Sequence, residues 1–280
     1  MISDDIIINI KNLSYSFGEK KIYNNLDLQI KKGSIFALLG KNGVGKSTLI
    51  NILMGYIKPE NGECLIFSKP SHNLEPKLKA DIALLYEGFT TYDFMSIKQI
   101  EKYFEPFYQK WDRKIFYDLI NLMNLDYNQK ISSLSFGQKS QVVLGLIFAQ
   151  DAKLLILDDY SMGLDAGYRR LFIDYLKDYI KNTDKTILIT SHIMSDLVDL
   201  IDDIAILQKG GTIYQSSMKD FIKNFRCYKI QNNEIISIQD IQRIEEYKDF
   251  KRIYTFEKND FLEEINIDFE DKFLGYVGKY

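Results

Sequence analysis

Apolar residues near the start of the chain come in short β-branched runs, at 6–10, 15–17 and 26–30, parted by Asn-, Gly- and Lys-rich stretches. Such runs between turn residues predict a small antiparallel sheet. Residues 34–39, Ser-Ile-Phe-Ala-Leu-Leu, differ in being continuously apolar up to Gly40, which predicts a strand buried on both faces. A helix is expected over 47–56, closed by Lys58-Pro59, and a further short strand over 64–67. From about 91 to 150 the spacing turns helical, with Ile97, Ile100 and Phe104, then Ile115, Leu119 and Leu122, at three- and four-residue intervals. Two more buried strands are predicted at 154–157 and 186–190, with an amphipathic helix at 168–180 between them. Residues 204–207 then run into Gly210-Gly211, a hairpin turn before Ile213-Tyr214. Strands alternating with helices make this an α/β chain with a largely parallel sheet and a helical insertion.

Beyond about residue 218 the character changes to aromatic- and charge-rich sequence with two glycines, Gly275 and Gly278. The expected division is therefore one domain over 1–217, with its helical part at about 89–150, and a small accessory α/β segment over 218–280.

Composition narrows the function. A hydrophobic content of 46% over 280 residues supports a packed core and excludes a disordered chain. Lys+Arg 36 against Asp+Glu 39 leaves a net charge of -3, so no nucleic-acid partner held by a global positive field is expected. Cys64 and Cys227 form no CxxC pair, and His72 and His192 are the two histidines, which suggests neither a zinc site nor a disulfide framework. The acidic start, Met1-Ile2-Ser3-Asp4-Asp5, is unlike a signal peptide. No apolar run reaches the roughly 18 residues of a transmembrane helix, so any membrane role is expected to come through a partner.

The chemistry is concentrated at Gly40-Lys41-Asn42-Gly43-Val44-Gly45-Lys46-Ser47, a GxxxxGK[ST] sequence between a buried strand and a helix. Gly40, Gly43 and Gly45 let the backbone bend so that successive N–H groups, that of Asn42 among them, face phosphate oxygens. The helix beginning near Lys46 turns its positive end to the same place. Lys46 is expected on the β- and γ-phosphates, the Ser47 hydroxyl on Mg²⁺ and Thr48 on the α-phosphate. This pattern predicts binding of a nucleoside triphosphate, without choosing among kinases, GTPases and motor ATPases.

Leu134-Ser135-Phe136-Gly137-Gln138, standing between that loop and the run ending in Asp158, carries a resemblance over about residues 6–215. The chain resembles the nucleotide-binding subunit of an ABC transporter, whose signature LSGGQ reads LSFGQ here, with Phe136 in place of a Gly. The resemblance implies a P-loop, RecA-like ATPase core with an antiparallel β subdomain and a helical insertion. It implies that Ser135 and Gly137 contact the γ-phosphate held by an opposing subunit, and that Asp165, in Gly163-Leu164-Asp165, helps shape the partner's site. Asp158 would hold Mg²⁺ through water at the mouth of its strand. His192 would sense the γ-phosphate.

Two positions depart from the family pattern. Asp159 stands where the family places a Glu as general base; one methylene shorter, it withdraws the carboxylate by about 1.5 Å. A misplacement of that order costs about 100-fold where alignment governs the step, so slow hydrolysis is expected, the alternative being a degenerate position in a heterodimer. Glu87 falls where the family has Gln and is read either as an oxygen ligand to Mg²⁺ or water, or as a solvated loop acid. For the adenine ring Phe17 is the choice, with Tyr15 and Tyr23 as rivals.

The resemblance further implies two chains, as homodimer or heterodimer, clamping two Mg·ATP. It also implies a separate polytopic permease, and hence a place at the cytoplasmic face of the membrane. Phe89, Tyr92, Phe94, Phe107, Tyr108 and Trp111 would line a groove for that permease. Export of a drug, antibiotic or peptide is the transport reading; a slow ATP switch or a soluble non-transport ATPase is the alternative.

Overall fold

The computed structural model describes residues 5–86, 88, 92–160, 164–181, 183–190, 197–232, 234 and 238–278. Its strands are β1 (Ile6–Phe17), β2 (Lys20–Lys31), β3 (Ile35–Leu39), β4 (Asn61–Ile66), β5 (Lys69–Pro70), β6 (Ile82–Leu85), β7 (Leu154–Leu157), β8 (Thr186–Ile189), β9 (Asp203–Leu207), β10 (Ile213–Ser217), β11 (Arg226–Gln231), β12 (Ile241–Glu246), β13 (Phe250–Thr255) and β14 (Glu263–Glu264). The helices are α1 (Lys46–Leu53), α2 (Pro76–Lys79), α3 (Ile97–Phe104), α4 (Arg113–Leu122), α5 (Phe136–Ala149), α6 (Ala166–Ile180), α7 (Met218–Asn224) and α8 (Phe269–Val277).

The central sheet has the order β10-β9-β3-β8-β7-β6. All its pairs are parallel except the β9–β10 hairpin. Because side chains alternate along a strand, β3 sends Ile35, Ala37 and Leu39 to one face and Phe36 and Leu38 to the other. The first face is covered by α5 and α6 through Leu144, Phe148, Phe172, Ile173 and Leu176. The second is covered by α1 and by the antiparallel sheet β2-β1-β4-β5. Both faces being closed explains why these strands carry no polar alternation.

Two differences from the sequence reading have a local cause. The runs at 6–10 and 15–17 belong to one 12-residue strand, and 26–30 to another. Asn12 and Asn25 take left-handed φ values of 50° and 53°, and the β1–β2 pairing shifts register between Ile10 and Leu13 and again before Tyr15. What read as turn residues are bulges inside a continuous hairpin.

Helices α3, α4 and α5 share a separate cluster made by Ile97, Ile100, Phe116, Ile120, Val142 and Leu146. Tyr92 and Trp111 pack against it, whereas Phe94 and Phe107 are 71% and 63% exposed. Phe89 lies outside the described residues. The last sheet, β12-β13-β11-β14, is antiparallel throughout. Its inner residues Cys227 and Tyr254, with Phe221, Phe225, Phe269 and Tyr276 of the flanking helices, join the same cluster as the α5–α6 face of the central sheet. Among the described residues no helix is long and apolar enough to cross a membrane.

Candidate functional site

Strand β3 ends at Leu39 and the chain turns through Gly40 to Gly45 before α1 starts at Lys46. Gly45 caps the helix at φ 119°, a conformation L side chains rarely adopt, and a Cβ there would meet Ile22 Cγ2 and Tyr23 Oη at 2.8 Å. Tyr23 is wholly buried beneath this loop and its hydroxyl donates to the Gly45 carbonyl. Burial pushes its phenol well above the ordinary tyrosine range, so it remains a donor at any ordinary pH. Lys46 Nζ folds over the loop, donating to the carbonyls of Gly40 at 2.7 Å and Lys41 at 3.2 Å.

Above the loop lies a cavity of about 500 Å³. Asn42, Gly43, Gly45, Lys46, Ser47 and Thr48 line it, together with Asp158, Asp159 and Phe17. Gly40, expected from sequence at the phosphates, does not line the cavity itself; its carbonyl accepts the Lys46 ammonium. Phe17 is 74% exposed and Tyr23 is buried, so of those two rings only that of Phe17 offers a free face to a base. Three residues of the wall, Lys20, Ile22 and Thr190, were not singled out from sequence. Lys20 arrives through the hairpin that pairs it with Phe17, and Thr190 through the strand pairing of β7 with β8.

Asp158 is 2% exposed. Its Oδ1 accepts a hydrogen bond from the Thr190 hydroxyl at 2.7 Å, while Oδ2 is buried without a hydrogen-bond partner among the described residues. A buried carboxylate oxygen left without a donor is costly unless something completes it. With the Ser47 hydroxyl on the same cavity, the available donors are oxygens, which suit a hard divalent cation such as Mg²⁺. Among the described residues no group of three or more His, Cys, Asp or Glu gathers as a metal cage.

Ser135, Gly137 and Asp165 do not line this cavity. Ser135 caps α5: its hydroxyl accepts the Gln138 N–H at 3.3 Å and the Gln138 side chain accepts the Ser135 N–H at 2.9 Å. Asp165 caps α6 by accepting the Tyr168 N–H at 3.0 Å. Gly137 is packed so closely against the Tyr168 ring that a Cβ would lie 2.4 Å from its Cδ2 atom. The two helix starts are thus one unit, tied again by Gln141 Nε2 donating to the Tyr168 carbonyl at 3.2 Å. Glu87, His192 and Gly163 lie outside the described residues.

A buried strand, a glycine loop, a helix start and an aspartate closing β7, one strand beyond β8 in the same sheet, define a P-loop nucleotide-binding class. Residues 23–161 match the sequence family described as ABC transporter. ABC transporter G family member 20 of Dictyostelium discoideum is 32% identical over 229 residues, covering 75% of this chain and 30% of that protein. ABC transporter ATP-binding protein YtrB of Bacillus subtilis (strain 168) is 26% identical over 97% of this chain and 98% of its own length. Two further relatives are each 28% identical. The lantibiotic transport ATP-binding protein SrtF of Streptococcus pyogenes aligns over 82% of this chain and 98% of its own length. The spermidine/putrescine import ATP-binding protein PotA of Clostridium acetobutylicum aligns over 79% of this chain and 66% of its own length. In fold, a solved ATP-binding subunit of an ABC transporter superposes with a TM-score of 0.68 at 19% identity, over 78% of this chain and 92% of that one. The chain belongs to the ABC transporter family as an ATP-binding domain.

Proposed function

We propose that the chain is an ATP-hydrolysing subunit that powers a separate transmembrane permease, at the cytoplasmic face of a membrane, by closing against a second ATPase subunit. The observation that carries this reading is the single cavity holding the P-loop, Asp158 and Asp159. In it Lys46 turns from the Gly40 and Lys41 carbonyls to the β- and γ-phosphates, and the loop N–H groups and the α1 start hold the phosphate chain. Ser47 and Asp158 would hold Mg²⁺, which when bound would supply neutralisation of phosphate charge. Asp159 orients and deprotonates the attacking water, His192 and Glu87 complete the γ-phosphate end, and Phe17 stacks on adenine. Ser135, Gly137 and Asp165 act across the dimer on the partner's nucleotide, which is consistent with their place outside this chain's own cavity.

The permease docks on the aromatic surface of the helical layer, where Phe94, Tyr103 and Phe107 are exposed around Tyr92. Export of a drug, antibiotic or peptide is the transport direction proposed. The lantibiotic-transport relative supports it and the spermidine/putrescine import relative weighs against it. A slow ATP switch is the second reading, favoured by the short side chain of Asp159 and its left-handed φ of 46°.

The test is steady-state ATP turnover by the purified chain with Mg²⁺. Lys46→Ala should abolish it, Asp159→Asn should nearly abolish it, and Asp159→Glu should raise it. Equal turnover in wild type, Asp159→Glu and Asp159→Asn removes Asp159 from catalysis. Recovery of a polytopic membrane protein with the tagged chain from native membranes decides between transport and a soluble role.

A further inference from the structure

Strands β7 and β8 leave the sheet in register, with Leu157 opposite Ile189, so the next residues, Asp158 and Thr190, stand side by side on the rim. Both are almost fully buried, and their backbones are fixed to neighbouring strands: Asp158 N–H donates to the Leu85 carbonyl and Thr190 N–H to that of Leu157, each at 2.9 Å. The Thr190 hydroxyl then makes two bonds at once. It donates to Asp158 Oδ1 at 2.7 Å and accepts from the Asp159 backbone N–H at 2.9 Å. One hydroxyl has a single hydrogen to give, so this arrangement fixes its rotor. It also fixes which Asp158 oxygen is occupied by protein, leaving Oδ2 as the buried atom without a partner among the described residues.

The second bond falls on a strained point. Asp159 has φ 46°, a left-handed conformation that is unfavourable for a non-glycine residue and persists only where surroundings hold it. Relaxing it would change the aim of the Asp159 side chain, which lines the same cavity as Lys46 and Ser47.

We infer that Thr190 is a positioning residue for both aspartates: its hydroxyl presents Asp158 Oδ2 to the water shell of the divalent cation and pins the strained backbone that aims Asp159. The inference deepens the ATPase reading and rests on it. Serine keeps the hydroxyl, valine keeps the shape without it, and alanine removes both.

The experiment compares wild type, Thr190→Val and Thr190→Ser in two measurements. The first is Mn²⁺ binding by electron paramagnetic resonance with a non-hydrolysable ATP analogue; the second is ATP turnover with kcat and KM resolved. Thr190→Val should weaken Mn²⁺ about fivefold or more, as expected when a buried carboxylate loses a charge-assisted donor. It should lower kcat about tenfold with KM for ATP nearly unchanged, as expected of misaligned groups. Thr190→Ser should recover both to within about threefold. Thr190→Val behaving as wild type in both overturns the inference. So does Thr190→Ser failing as badly as Thr190→Val while the fold, read by circular dichroism, is kept. If Thr190→Val does not fold, Thr190→Ala is read in its place against the same two criteria. Absence of turnover in wild type defeats the ATPase reading, and the Mn²⁺ measurement alone then decides the role of Thr190.

Discussion

Tyr23 shows how a residue away from the chemistry sets the shape of the phosphate loop. Its ring lies under Gly45 with Ile22, and its hydroxyl holds the Gly45 carbonyl, the last one before α1. Tyr23→Phe leaves the packing and removes one donor, a loss of about 0.5–1.5 kcal/mol. Isothermal titration with ATP should show a several-fold weaker affinity, about equal at pH 7 and pH 9 because the phenol is protonated at both. Unchanged affinity would mean that the loop is held by Ile22 contact alone. The local sequence does not assign this role, since Tyr23 lies on β2, apart from the motif, and is as good a candidate ring for the base as Phe17 until burial separates them. Lys46, Ser47 and Asp158 were legible because each closes or opens a segment whose local pattern names it. Thr190 and Lys20 were not, because both reach the cavity through pairing between strands that nothing in the local sequence announces.

At the scale of elements, the starts of α5 and α6 behave as one piece. Gly137 has its Cβ space filled by the Tyr168 ring, Asp165 caps Tyr168, and Gln141 holds the Tyr168 carbonyl. Gly137 therefore has a reason within this chain that is separate from any phosphate on a partner. Gly137→Ala must displace the ring, an overpacking that costs about 1–3 kcal/mol in thermal unfolding. Adding Tyr168→Ala should recover the stability. If the double variant also recovers ATP turnover, the packing role is the whole role. If stability returns and turnover does not, Gly137 acts on nucleotide as well. Elements of this kind were legible where burial on two faces writes an unbroken apolar run, as at β3, β7 and β8. They were illegible where Asn12 and Asn25 bend a strand without ending it, because a bulge and a turn use the same residues.

For the whole molecule the question is whether the last 63 positions, 218–280, rise and fall with the ATPase core. Their sheet is separate, but their apolar side is not. Phe225 stacks on Phe221 and Tyr254 and touches Phe256 and Tyr276, while Tyr214, on the edge strand of the central sheet, packs against Phe221, Phe256 and Tyr276. A shared core of this type predicts one cooperative transition. Phe225→Ala removes a wholly buried ring and costs about 3–5 kcal/mol, a fall in midpoint on the order of 10 °C for a chain of this size. The readout is built in: Trp111 is the chain's single tryptophan and belongs to the helical layer, which has its own apolar cluster apart from Phe225. Cooperative unfolding requires Trp111 fluorescence to report the full shift caused by Phe225→Ala, coincident with far-ultraviolet circular dichroism. An unshifted Trp111 transition, with the loss confined to an earlier dichroic step, would show instead that the C-terminal sheet melts alone and that the ATPase core does not depend on it.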